Sequence, residues 1–169
     1  VMINIIGLLT GFFSTNFEDN SKQQIKVGGS HALTALLCVG MLGMTSTGDV
    51  FNLYVFLEVT SLAGYILIAL GGSKGVVSAF RYLLIGTVAA TFYLLGVAML
   101  YSVTGTLNMQ DMHNILSRGG HDETMLIAMC MFIAAFGIKM ALFPFHGWQP
   151  SAYTHAQTGA RPLIAGVMG

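Results

Sequence analysis

Charged side chains are scarce in this sequence. Asp, Glu, Lys and Arg make up 8% of its 169 residues and hydrophobic residues 54%, whereas an ordinary soluble domain is about 25% charged. This composition, with a mean hydropathy of +0.73, excludes a soluble globular domain. The seven basic and seven acidic residues give a formal net charge of zero, so no basic surface is available to bind nucleic acid.

Signals for metals, cofactors and enzyme chemistry are also missing. The two cysteines, Cys38 and Cys130, lie inside apolar runs, where a thiol behaves as a small hydrophobe. No spacing among them and the five histidines resembles a metal site. The sequence contains no Gly-rich phosphate loop and no nucleophile or haem-ligand arrangement. We therefore predict no cofactor, no metal and no active site in this chain, although it can belong to a larger redox-driven complex.

Long apolar runs, by contrast, fill the sequence between short polar loops. A helix needs about 20 apolar residues to cross a bilayer, and these windows lack the alternation of a barrel strand. We predict an all-α, polytopic transmembrane helix bundle that forms a single domain fragment, 1–169. We also expect both ends to be truncated, because the sequence lacks an initiator Met and stops inside an apolar run. The predicted spans are 1–13 (partial), 31–47, 50–70, 76–103, 125–148 (broken) and 162–169 (partial).

Two charged residues, Glu58 and Lys139, fall deep inside apolar windows, whereas the others lie in loops or at helix ends. A charge at membrane depth costs at least about 2.5 kcal/mol on insertion scales, so such residues face the bundle interior, pair, and commonly mark a transport route. Burial disfavours the charged form of a group and an opposite charge favours it. We predict that the two residues translocate protons; the alternative is a structural ion pair that only fixes helix packing.

Two prolines interrupt the segment that carries Lys139. Pro144 and Pro150 each remove a backbone donor, so we expect the helix to kink or unwind there. Transporters use broken helices of this kind at their ion sites. The nearby His146 and His155 are either proton-pathway residues, since imidazole titrates near neutral pH, or side chains that merely meet solvent at the membrane boundary.

Arg81 lies close to the start of the predicted span 76–103, where its head group can still reach water. An arginine holds its proton too firmly to relay it. We therefore expect Arg81 to act as a fixed charge that tunes the field around Glu58, not as a proton carrier.

Three segments resemble one known family. The sequence contains, in the family's order, TGDVFNLYVFLEV, FRYLLIGTVAATFYLLGVAMLYSVTGTLNM and GIKMALFPFHGWQPSAY. These segments resemble the antiporter-like proton-channel subunits shared by respiratory complex I (chains L, M and N) and Mrp-type sodium/proton antiporters. GDVFNLYVFLEV and LYSVTGTLNM are most similar to the D-type component of the Mrp antiporters. The resemblance implies an inverted-repeat fold with a broken helix, in which Glu58 and Lys139 match the family's coupling pair.

The sequence departs from this family at two positions. Arg81 stands where complex I relatives often have lysine, and His155 stands where they often have a carboxylate. The first departure leaves a charge that cannot relay a proton. The second leaves the role of His155 open.

The resemblance implies a multi-pass subunit of a hetero-oligomeric complex in the bacterial cytoplasmic (inner) membrane. Its partners would be other integral membrane subunits, and its transported ions protons and, in an antiporter, sodium. The leading hypothesis is a proton-translocating subunit of a monovalent cation/proton antiporter. The first alternative is the proton-pumping subunit of NADH:quinone oxidoreductase or a related membrane hydrogenase. A second, of a different class, is a non-conducting structural membrane subunit.

Overall fold

A computed structural model describes residues 24–119 and 122–156, together with 161, 164 and 165. The predicted partial span 1–13 and most of 162–169 lie outside these residues. The described part of the chain is helical, and its only strand-like pairing is an isolated antiparallel bridge between Asp49 and Asn108. The elements in chain order are α1 (Gln24–Ser46), α2 (Val50–Ala69), α3 (Ser73–Thr104), α4 (Met109–Leu116), α5 (Asp122–Lys139), a 3₁₀ turn (Phe145–Trp148) and α6 (Gln149–His155).

The predicted fold class, a transmembrane helix bundle with a broken helix, is confirmed. Among the described residues, three helical stretches are long and apolar enough to cross a membrane, namely Gly28–Ser46 within α1, α2 and α3. α5 has 18 residues, starts with two acidic residues and ends at Lys139. The region predicted as the broken span 125–148 is therefore divided between α5, an irregular segment and the 3₁₀ turn.

Glycines allow α1 and α2 to approach closely. A Cβ atom added at Gly40 would collide with Thr60 Oγ1, and one added at Gly43 would collide with the ring of Phe56. Small residues at helix contacts are typical of membrane proteins, where close backbone packing replaces the hydrophobic effect between helices. This contact holds α2, which carries Glu58, against α1.

Within the described residues, buried apolar side chains form two clusters, one at each end of the α2–α3 pair. The bridge-end cluster lies beside the Asp49–Asn108 bridge and consists of Val50, Tyr93, Val97, Met112 and Ala135. The break-end cluster lies beside the end of α5. It consists of Leu37, Met41, Ala63, Tyr65, Leu67, Ile68, Ala79, Tyr82, Ala141, Trp148, Ala152, Ala156 and Ile164.

Candidate ion-pair site in the membrane

Glu58 and Lys139 meet inside the helix bundle. Glu58 lies near the middle of α2, and Lys139 is the last residue of α5. The Lys139 Nζ is 3.7 Å from Glu58 Oε1, and the two side chains are 13% and 24% exposed, respectively. This is the only ion pair within 24–119 and 122–156. The two charges that the sequence places at membrane depth are therefore neighbours.

The Lys139 ammonium also makes a hydrogen bond to a serine hydroxyl. The Lys139 Nζ donates a hydrogen bond to Ser61 Oγ at 2.5 Å, and that hydroxyl donates to the backbone oxygen of Leu57 at 2.8 Å. Ser61 follows Glu58 by three residues, so both side chains lie on one face of α2. Glu58 Oε1 is buried and has no hydrogen-bond partner among the described residues.

The helix that carries Lys139 ends just beyond it. Ala141 has φ +50°, a left-handed conformation that costs a non-glycine residue about 1–2 kcal/mol. Trp148 lies past the break and its Nε1 donates to the backbone oxygen of Ile138 at 3.1 Å. The Ile138 oxygen also accepts from Ala141 N at 3.2 Å, so the indole is a second donor that helps to fix the position of the residue next to the lysine.

The two prolines have different places in this break. Pro144 follows the end of α5 and precedes the 3₁₀ turn, and its peptide bond with Phe143 is cis. Pro150 lies in the first turn of α6, where the missing backbone donor is not needed. Pro150 therefore starts a helix, and the interruption falls between Lys139 and Phe145.

Aromatic rings pack beside the site. Tyr82 stacks on Trp148 with ring centroids 4.0 Å apart and meets Tyr65 edge-on at 4.6 Å. The hydroxyl of Tyr65 is buried without a hydrogen-bond partner in the described part of the chain. A Cβ added at Gly86 would collide with that hydroxyl, so the glycine at this position is what lets Tyr65 fit between α2 and α3.

Four residues around the pair, Ser61, Tyr65, Tyr82 and Trp148, were not predicted from the sequence. Ser61 and Tyr65 follow Glu58 by three and seven residues, and this helical spacing is a signal that places all three on one face. Tyr82 and Trp148 carry no such local signal, because they reach the site only through tertiary packing.

The other predicted site residues do not contact the ion pair. His155 Nδ1 lies 2.9 Å from the backbone oxygen of Ser151 and 3.3 Å from Ser78 Oγ. Because a carbonyl only accepts, Nδ1 is assigned as the donor to the Ser151 oxygen. His146 is exposed, with its ring 5.8 Å from that of Phe143. Arg81 is exposed on α3.

The site therefore offers proton chemistry from a carboxylate, an ammonium and hydroxyl groups. No group of three or more His, Cys, Asp or Glu side chains that could hold a metal ion occurs among the residues that the structure describes.

Comparison with known proteins decides the family. The family described as NADH:quinone oxidoreductase/Mrp antiporter, transmembrane, matches residues 47–169. The chain belongs to this family. The prediction made from the three sequence segments is thereby confirmed, as is the predicted multi-pass location in the bacterial cytoplasmic (inner) membrane.

Relatives from two kinds of complex are similar to this chain. The N-type component of the NADH-quinone oxidoreductase of Desulforudis audaxviator is 51% identical over 141 residues, 83% of this chain and 28% of that protein. The D-type component of the Na(+)/H(+) antiporter of Bacillus subtilis is 34% identical over 150 residues, 88% of this chain and 30% of that protein.

A solved structure with a similar fold is that of the membrane-bound sulfane sulfur reductase, an archaeal respiratory membrane complex. It matches with a TM-score of 0.86 at 28% identity and covers 98% of this chain and 33% of the matched one. The chain thus spans about a third of the length of the proteins it matches.

Proposed function

We propose that this chain is a proton-translocating segment of a multisubunit membrane complex and that Glu58 and Lys139 form its protonation switch. The observation that carries the proposal is the 3.7 Å separation of these two side chains inside a helix bundle. An intramembrane acid and base in contact are expected on a proton route. Other integral membrane subunits would be the partners of such a segment.

The position of Lys139 at a helix end suits a switch. At an effective dielectric constant near 20, charges 3.7 Å apart attract by about 4 kcal/mol, and desolvation offsets part of this attraction. Separating the two groups by a few ångströms therefore changes their proton affinities by orders of magnitude. Lys139 is the last residue of α5 and borders an irregular segment, and transporters use broken helices of this kind at their ion sites.

Proton transport by the reconstituted complex, with the full-length subunit in proteoliposomes and a pH-sensitive dye as the readout, tests the proposal. Glu58→Gln and Lys139→Met each remove one charge, and each should lower transport at least about tenfold, because the remaining group loses the charge that controls its protonation. Glu123→Gln and Lys74→Met make the same changes at exposed positions and should leave transport within about twofold. Undiminished transport in both pair variants would refute the proposed switch.

The proposal also concerns the kind of complex that contains this chain. The sequence segments favour a monovalent cation/proton antiporter of the Mrp type. A redox-driven complex of the NADH:quinone oxidoreductase type is the second candidate, favoured by the 51% identity to the relative from Desulforudis audaxviator. The purified complex separates them: an antiporter should exchange protons for added sodium, whereas the redox-driven complex should oxidise NADH with a quinone and pump protons as it does so.

A structural clamp is the competing explanation of the same contact. The double variant Glu58→Lys, Lys139→Glu keeps an opposite-charge pair but reverses its order along the membrane. A clamp should keep both assembly and transport after the exchange, whereas a directional relay should assemble and lose transport. Retained transport in the exchanged variant therefore argues for the clamp.

A further inference from the structure

The lysine of the ion pair makes its hydrogen bond to a hydroxyl and not to the carboxylate. The Lys139 Nζ is 2.5 Å from Ser61 Oγ and 3.7 Å from Glu58 Oε1. A direct bond between an ammonium and a carboxylate is about 2.7–2.9 Å long. We propose that Ser61 is a positioning residue that holds the Lys139 ammonium beyond hydrogen-bonding distance of Glu58.

The hydroxyl of Ser61 is fixed in the orientation that this role needs. It donates its hydrogen to the backbone oxygen of Leu57 at 2.8 Å, so it presents only lone pairs to the lysine. Ser61 is 3% exposed and lies on the same helix as Glu58. The two oxygens that compete for the ammonium are therefore held at a constant spacing by α2.

The carboxylate has an open position for the lysine. Glu58 Oε1 is buried and accepts no hydrogen bond from the described residues, and a buried acceptor without a partner is costly. Without the Ser61 hydroxyl, the ammonium would lose its neutral acceptor and move about 1 Å to bond with Glu58. The serine thus keeps the ion pair loose.

The consequence for transport rests on the proposed function. At an effective dielectric constant near 20, shortening the charge separation from 3.7 Å to about 2.8 Å makes the pair about tenfold harder to separate. A switch that works by separating Glu58 from Lys139 would slow by a similar factor. Ser61 therefore sets how readily the lysine leaves the glutamate.

The test compares Ser61→Ala with Thr60→Ala in the full-length complex. Thr60 is the adjacent residue, is 5% exposed and donates to the backbone oxygen of Phe56 at 2.8 Å, but it lies against Gly40 of α1. In Ser61→Ala we expect a cryo-EM distance of about 2.8 Å from Lys139 Nζ to Glu58 Oε1 and about tenfold slower proton transport. Thr60→Ala should leave the distance unchanged and transport within about twofold.

Ser61→Thr supplies the rescue, because threonine keeps a hydroxyl that can donate to the same carbonyl. Transport by this variant should return to within about twofold of the unchanged complex. The proposal is overturned if the ammonium stays in place in Ser61→Ala, if Ser61→Ala and Thr60→Ala slow transport equally, or if threonine fails to restore it. The distance readout does not depend on transport, so it tests Ser61 even if Glu58→Gln proves fully active.

Discussion

The two ends of the α2–α3 pair differ in how their polar groups are satisfied. At the bridge end, Val50 N donates to Leu107 O, Met109 N donates to Gly48 O, and the Tyr93 hydroxyl donates to Val50 O, each at 2.9 Å. Toward the break end, the structure places an ion pair, a left-handed alanine and a tyrosine hydroxyl without a partner among the described residues. Local rules are commonly broken at functional sites. This difference supports the proposal that the break end carries the proton chemistry and the bridge end holds the helices together.

At the bridge end, side chains also cap the starts of two helices. Asp49 accepts from Asn52 N at 2.7 Å and caps α2, and Asn108 accepts from Gln110 N at 2.9 Å and caps α4. Each cap satisfies a backbone donor that the helix cannot. Because the two capping residues pair with each other, the short helix α4 is tied to the start of α2.

The largest expected difference between the two ends comes from deleting one aromatic ring at each. Trp148→Ala removes the stack on Tyr82 and leaves Ile138 O without its indole donor, and such a truncation costs about 3–5 kcal/mol. Phe132→Ala at the bridge end removes the edge contact with Tyr93 and should cost less, because Phe132 is only partly buried.

The variants Trp148→Ala and Phe132→Ala are compared by thermal unfolding of the purified complex and by proton transport. Both variants should lower the unfolding midpoint, Trp148→Ala by more. Only Trp148→Ala should slow transport in complexes that remain assembled, because the indole fixes the residue beside Lys139. Equal loss of transport in the two variants would mean that the break end has no special role.

Two glycines of α3 offer a smaller comparison. A Cβ at Gly86 collides with the Tyr65 hydroxyl, whereas one at Gly96 meets the Phe132 ring at 3.1 Å. Gly86→Ala should cost about 1–3 kcal/mol through overpacking. Gly96→Ala should hardly change the free energy of unfolding. The small cost of shifting the Phe132 ring is offset by the higher helix propensity of alanine, which contributes up to about 1 kcal/mol. Unfolding midpoints of the two variants check this order, and a more harmful Gly96→Ala would contradict it.

The helical class and the two intramembrane charges could be predicted because both signals are local in the sequence. The pairing of Glu58 with Lys139 could not be predicted from the sequence. Helix rise from the predicted span starts places Glu58 about 12 Å and Lys139 about 21 Å into the membrane, and only packing shows that the side chains meet at 3.7 Å. Sequence spacing fixes the position of a residue along its helix but not the tilt between helices.

The position of the helix break was predicted only approximately, for a related reason. Pro144 signals an interruption, but α5 already ends at Lys139. The end of this helix depends on the left-handed Ala141 and on the hydrogen bond from Trp148 to Ile138. No local sequence pattern predicts either feature. Ser61 could have been found from its spacing to Glu58, although serine is common in membrane helices and spacing alone does not identify its partner.

The smallest expected effects come from removing one tyrosine hydroxyl at each end. Tyr93→Phe deletes the donor to Val50 O and should cost about 1 kcal/mol. Tyr65→Phe deletes a buried hydroxyl that has no partner among the described residues, so unfolding should be unchanged or slightly harder, because an unpaired buried polar group is itself unfavourable. Unfolding midpoints of the two complexes give the sign. If Tyr65→Phe lowers the unfolding midpoint as much as Tyr93→Phe does, the Tyr65 hydroxyl has a hydrogen-bond partner in the assembled complex. The difference between the two ends would then rest only on the ion pair and on the left-handed Ala141.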